Sequence, residues 1–344
     1  MNCRRCKSNP LLLLGALFVL CAAAPVQAII LHPDGEPNLA AWTDRPPDGI
    51  VGRWGSNASC VAIARNCIVT TRHQGGGAST SVQIAGVTYS IAQIWNHPTA
   101  DLRLVRLFGA NLAEFVDPYA KTDESGKGVV IGGYGVGNGP SLETGGIVYG
   151  YEWGDSASRA LRFATNRIEN PVSDSNVAPY ISDVVVADFD DLSRNFPTTY
   201  ECIPAVHDSG GGWFINDNGT WKLAALSRAV EQHYEEGHEN DPNYILLESW
   251  FRQRSDPVRS DADVFDAVRI SSYAQWISET LPEVPPGDLT GDDHVDGADF
   301  AVLAGLWQRT DCQAPDWCLA ADSEPDGDVD ALDLAAFADR WLTP

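Results

Sequence analysis

Between about residues 50 and 107 apolar and polar positions alternate in short runs. Val82 and Ile84 flank Gln83, Val87, Tyr89 and Ile91 alternate, and Leu102 and Leu104 flank Arg103. A period of two places one set of side chains on a buried face, and the Gly, Pro, Asn and Asp between runs end each strand early. The pattern predicts short strands at sandwich or barrel spacing. Val184-Val185-Val186 predicts another strand, and Arg159 to Arg167 a strand pair. The rest of the stretch from about 152 to 200 reads as loop or insertion. Near the C-terminus the period changes. Phe300, Leu303 and Trp307 recur at helical spacing, and Leu334, Phe337 and Trp341 repeat the set.

The 344 residues suggest two domains, and 44% hydrophobic residues can build a sizeable core. Arg4, Arg5 and Lys7 precede an apolar run from Leu11 to Ala24, and Val26-Gln27-Ala28 supplies small residues for cleavage. Residues 1–28 therefore read as a secretory signal peptide, too short in its apolar run for a transmembrane helix. The expected location is secreted, cell-surface or periplasmic, with no stable membrane insertion. Removing the leader takes three bases and no acids, moving the formal charge from −24 to about −27. Such acidity argues against nucleic acid as a partner. Five cysteines would remain, and export permits disulfides. Cys312 and Cys318 are the best pair, Cys60 and Cys67 the next candidates unless their strand holds them apart, and Cys202 the one left over. Pro-rich residues 282–287 read as a spacer. Beyond it the chain carries fourteen acidic and two basic residues.

His207-Asp208-Ser209-Gly210-Gly211-Gly212-Trp213 is the most informative stretch. A glycine-rich turn lets a serine Oγ project while backbone N–H groups face a reacting carbonyl. Upstream, Ile68-Val69-Thr70-Thr71-Arg72 feeds His73, and Asp101 opens an alternating run. The order His, Asp, Ser is one a catalytic triad can take. From about Ile29 to Leu281 the chain resembles the trypsin-like serine proteases. Gly133-Tyr134-Gly135 after Val129-Val130-Ile131 resembles the start of that family's second barrel. Leu223-Ala224-Ala225-Leu226-Ser227 resembles its cleft-lining strand, and Val268 to Ile277 its closing helix.

The resemblance implies a mainly β protein, a double β-barrel of the chymotrypsin fold over residues 29–281 with a C-terminal helix. It implies Ser209 as nucleophile, His73 as base and Asp101 as its orienting partner. The backbone N–H groups of His207 and Ser209 would form the oxyanion hole, with no cofactor for catalysis. Asp208 would receive a freed N-terminal amine. Cleavage after Ala28 would supply it at Ile29, whereas Ile50-Val51-Gly52 lies only 23 residues before His73, in a strand the barrel needs. The cysteine the family has after its histidine is replaced by Gln74. The primary pocket would lie near Cys202, Ile203 and Pro204, with no acid to favour Arg or Lys. His207 stands where the family has glycine, which implies a weakened site or a side chain that contacts substrate. Three readings follow: a serine endopeptidase acting on protein or peptide, an impaired relative that serves as a binding protein, and an esterase on the same triad.

Residues 288–344 contain an internal repeat. Asp288, Thr290, Asp292, His294, Asp296 and Asp299 occupy positions 1, 3, 5, 7, 9 and 12 of a twelve-residue loop. Asp322, Glu324, Asp326, Asp328, Asp330 and Asp333 occupy the same places in a second. Hard oxygen donors at this spacing, with a backbone carbonyl at position 7, suit Ca2+. A helix follows each loop. Aspartate at position 12, with no helix needed before the loop, resembles dockerin modules, which implies a small α-helical calcium module and a cohesin-like partner. Asp293 replaces the glycine usual at position 6, so the second loop is expected to bind calcium better.

Overall fold

The computed structural model describes residues 29–32, 38–191, 198–251, 262–282, 285, 287–292, 294–313 and 317–341. The predicted signal peptide, three residues of the spacer and Asp293 lie outside the described residues.

The chain is mainly β. Two seven-stranded antiparallel sheets dominate. The first runs Val87–Tyr89, Val82–Ile84, Val51–Trp54, Ala58–Ala64, Cys67–Thr70, Arg103–Leu107, Ile91–Asn96. The second runs Arg162–Arg167, Gly128–Gly133, Gly212–Asp217, Thr220–Val230, Val264–Arg269, Tyr180–Asp188, Asn170–Val177. Ile30–Leu31 pairs with Cys202–Ile203, opposing Ile30 to Ile203.

Three apolar clusters hold this body. Trp54, Ile68, Val82, Ile84 and Leu107 fill the first sheet. Ile131, Ala187, Trp213 and Phe265 fill the second. A third joins them, with Val51, Val61 and Val69 from one sheet meeting Phe163, Phe214 and Leu226 from the other. The closing helix, Ala274–Thr280 after a 3-10 turn at Ile270–Tyr273, adds Ile277 to that seam.

Two strand expectations change. Arg159 to Arg167 is not a strand pair: Ser156–Ser158 forms a 3-10 turn capped by Asp155, and a single strand Arg162–Arg167 pairs with Gly128–Gly133. The stretch read as loop or insertion contains the hairpin of Asn170–Val177 and Tyr180–Asp188. Its outer strand is exposed on nearly every position, so no apolar period marks it.

Cys312 and Cys318 form a disulfide, and Cys60, Cys67 and Cys202 are buried free thiols. Cys60 packs with Trp54 and Ala62, whereas Cys67 packs with Val61 and Val69 in the seam. The two therefore occupy different cores and cannot meet. In the C-terminal segment, helices Gly297–Gly305 and Ala331–Arg340 each begin with a capping box, Asp296 with Asp299 and Asp330 with Asp333. Leu303 and Phe337 are buried between them, while Phe300, Trp307 and Trp341 are exposed.

Candidate active site

His73 follows the Cys67–Thr70 strand, Asp101 precedes Arg103–Leu107, and Ser209 precedes Gly212–Asp217. Two come from the first sheet and one from the second, so the site lies where the sheets meet. His73 Nδ1 is 2.6 Å from Asp101 Oδ2, and His73 Nε2 is 2.8 Å from Ser209 Oγ. The structure thus brings the three sequence-predicted residues into one hydrogen-bonded chain.

Asp101 is fully buried. Its Oδ1 accepts the backbone N–H groups of Arg72 (2.6 Å) and His73 (2.8 Å). Burial alone would raise its pKa. Hydrogen bonds from the His73 ring and these two amides outweigh that and hold the carboxyl below its ordinary value. The Asp101 N–H donates to Ser182 Oγ at 2.9 Å, tying the loop to the second sheet. Arg72 Nη1 donates to His97 and Ala100 carbonyls, and its guanidinium lies over Tyr180. His97, the other histidine near Asp101, packs against Tyr273 and Trp276 and accepts the Ala100 N–H, as a loop residue would. Gln74 bonds to Thr70 and Thr71, bracing by hydrogen bonds the turn after His73.

The serine turn is fixed from both sides. Ser59 N–H donates to Ser209 O (2.8 Å), Gly210 N–H to Ser227 O (2.9 Å), and Gly211 N–H to Asp208 O (2.7 Å). Gly210 has φ +80, and a Cβ there would sit 2.3 Å from Thr70 Oγ1 and 2.4 Å from Ser59 O. Only glycine fits.

His207 also has positive φ, +77. That backbone disfavours a Cβ at a cost of about 1–2 kcal/mol. Two contacts hold it: the His207 carbonyl accepts Ser59 Oγ (3.1 Å), and Nδ1 is 3.0 Å from Asn57 O. Since a carbonyl only accepts, Nδ1 carries the hydrogen. Burial is the main cause of a lowered His207 pKa, and Arg159 adds to it. Among the described residues the N–H groups of His207 and Ser209 have no protein acceptor, leaving them available to an oxyanion.

Asp208 is buried, accepting Gly135 N–H (2.7 Å) and Ala205 N–H (2.9 Å). Burial pushes its pKa up to about 7, against those two amides and the charges of Arg162 and Arg159. Arg162 also donates to Ile29 O (2.8 Å), and Ile29 is fully buried. Ile203, predicted to lie near the primary pocket, is buried in the core and pairs with Ile30.

In the C-terminal segment Asp288, Asp292 and Asp299 bring carboxylate oxygens within 4.8 Å of one another. This is a hard-donor set suited to Ca2+. Thr290 and Asp296 are bound into the same loop through Asp299, and His294 N–H bonds Asp292. In the second loop Asp333 accepts from Ser323, Glu324 and Asp330, Asp322 accepts from Asp326 and Gly327, and Asp328 N–H bonds Asp326. Gly327 there has the positive φ (+103) that position 6 requires. Among the described residues the close three-carboxylate group is in the first loop.

Ser59, Ser182, Asn57, Arg159 and Arg162 were not visible to sequence reasoning. Each acts through long-range contact, and no local spacing marks them.

No protein-family model matches the chain, and no curated protein matches it. Among solved structures it is similar to the Rv3671c protease of M. tuberculosis in an inactive form. That likeness has 13% identity over 68% of this chain and 90% of that one, with a TM-score of 0.40. It is also similar to neuropsin, a serine protease expressed in the limbic system of mouse brain, at 14% identity over 68% and 95%, with a TM-score of 0.43.

Proposed function

We propose that the chain is an exported serine endopeptidase with a C-terminal calcium-binding, dockerin-like module. The observation that carries this is the continuous hydrogen-bonded chain from Asp101 through His73 to Ser209. In this reading Ser209 Oγ attacks the scissile carbonyl while His73 Nε2 takes its proton. Asp101 keeps the hydrogen on Nδ1 and stabilises the imidazolium. His73 then returns the proton to the leaving amine, and water repeats the sequence on the acyl-enzyme. The His207 and Ser209 N–H groups hold the oxyanion.

Leader removal after Ala28 would free the Ile29 amine to pair with buried Asp208, and Arg162, which bonds the Ile29 carbonyl, already acts on that carboxyl. Among the described residues Asp208 accepts two backbone N–H groups and no amine, so export itself would complete the site. The C-terminal module would hold Ca2+ through Asp288, Asp292 and Asp299 and attach the enzyme to a cohesin-like partner. The Cβ of His207 at positive φ favours a second reading, an impaired relative that binds rather than cleaves. Incubation of unstructured protein such as casein with the leader-free chain and with Ser209→Ala decides between them. Cleavage lost in the variant is expected; no cleavage by either supports the binding reading. Ester hydrolysis without peptide cleavage would indicate an esterase.

A further inference from the structure

The chain carries 47 acids against 23 bases, and several arginines are already paired with carboxylates. Arg45, Arg228, Arg269 and Arg309 each meet an Asp or Glu. Beside His207 the pattern is reversed. The Arg53 guanidinium lies 4.8 Å over the Tyr134 ring and donates from Nη2 to Arg159 O at 3.4 Å. Arg159 Nε donates to Tyr134 O at 3.1 Å, and its Nη1 to Ser56 O. Among the described residues neither arginine forms an ion pair, and Arg53 Nε and Arg159 Nη2, both buried atoms, have no hydrogen-bond partner. Both side chains remain partly open to solvent. They also feel each other. Burial is the first cause of a lowered Arg159 pKa and Arg53 the second, although buried Asp208 opposes both. Two partly buried cations lie together outside any ion pair among the described residues, and an added anion would offset their mutual repulsion.

Their position fixes what could bring the anion. Beyond Leu226 the Thr220–Val230 strand no longer pairs with Gly212–Asp217, and Gly210 N–H meets Ser227 O. The backbone edge after Ser227 could therefore accept the acyl half of an extended peptide as an added strand. The leaving half must run the other way from Ser209. There stands the Ser56–Ser59 turn, which touches the nucleophile's loop through Ser59 N–H to Ser209 O and the His207 ring to Asn57 O. Arg159 is bonded to that same turn.

We propose that Arg53 and Arg159 form an anion-recognising subsite on the leaving-group side, with the His207 ring as its wall. It selects peptides that carry a carboxylate shortly after the scissile bond. This rests on the endopeptidase reading and deepens it.

The test is cleavage profiling of a mixed peptide library by the leader-free protein. Counterparts with free and with amidated C-termini separate a side-chain carboxylate from a terminal one. Hydrolysis of a nitrophenyl acyl ester, which has no leaving peptide, is measured on every preparation as the reference. Wild-type protein is expected to cut peptides with Asp or Glu in the leaving positions roughly fivefold more often than those with Lys or Arg, less so in 0.5 M salt. Preference that survives amidation identifies side-chain carboxylates; preference confined to free C-termini identifies the terminal one; either supports the subsite. In Arg53→Gln and Arg159→Met the ratio of acidic to basic cuts, taken relative to ester hydrolysis, falls toward one. Intact ester hydrolysis with no acidic preference in the wild type overturns the subsite alone, and needs no variant to fold. Absence of both ester hydrolysis and peptide cleavage overturns the endopeptidase reading and the subsite with it.

Discussion

Asp101→Asn changes almost no volume, yet the surrounding hydrogen bonds dictate its effect. Asp101 Oδ1 accepts two backbone N–H groups, from Arg72 and His73, in a site closed to water. The asparagine amide must keep its oxygen there, because an NH2 group would face two donors. Its NH2 then points at His73 Nδ1, which is forced to accept. The ring hydrogen moves to Nε2, 2.8 Å from Ser209 Oγ, and His73 can no longer take the serine's proton. In a Ser-His-Asp triad this substitution lowers kcat by about 10⁴. That is roughly 5.5 kcal/mol of transition-state stabilisation. The expected result is a fall in kcat of about 10³ to 10⁴ for nitrophenyl ester hydrolysis, with KM changed by less than about threefold. Folding survives, since both backbone bonds remain, and thermal melting should show a loss of about 1–2 kcal/mol. A fall in kcat below tenfold in a folded protein would refute the role given to Asp101.

Three other outcomes follow from the same geometry. Asp208 has its folded pKa raised to about 7 while Ile29 is amide-linked. The stability tied to its protonated form is full below about pH 4 and lost as pH rises through 7, a difference of roughly 4 kcal/mol by pH 8. Protein with extra residues before Ile29 should therefore melt progressively lower from pH 4 to 8 than protein with a free Ile29 amine; coincident profiles would exclude the pairing. Gly210→Ala should lower the urea midpoint by the equivalent of about 2–3 kcal/mol and abolish activity, because Thr70 and Ser59 leave no room for the new Cβ; an unchanged midpoint would show that the turn relaxes. Calcium at 100 times its Kd should stabilise the C-terminal helices by about 2.7 kcal/mol, followed by tryptophan fluorescence, with ester hydrolysis unaffected. Asp299→Asn should remove that response, since Asp299 belongs to the carboxylate cluster.

The β character was legible wherever burial is one-sided, as at Val82 and Ile84. It was not legible in the Asn170–Val177 strand, which faces solvent along nearly its whole length and so carries no alternation. The residues of the candidate triad were legible because each sits in a local motif: a β-branched run before His73, an alternating run after Asp101, and glycines after Ser209. Their supports were not, because Ser182 reaches Asp101 from 81 residues away and Ser59 reaches His207 from 148. The positive φ of His207 shows why glycine suits that place, while the Asn57 carbonyl shows how a histidine ring is held there. The repeat in residues 288–344 was legible because aspartates and aromatic residues recur in one register. Which loop gathers its carboxylates was not, since both present the same donor spacing.

In the proposed reading Ser209 is an activated nucleophile. Treatment of leader-free protein with a fluorophosphonate, followed by intact-mass and peptide-mass analysis, tests it most directly. One adduct per chain is expected, on Ser209, absent in Ser209→Ala and strongly slowed in Asp101→Asn. Folded protein that gains no adduct at neutral pH, or gains it elsewhere than Ser209, would contradict it.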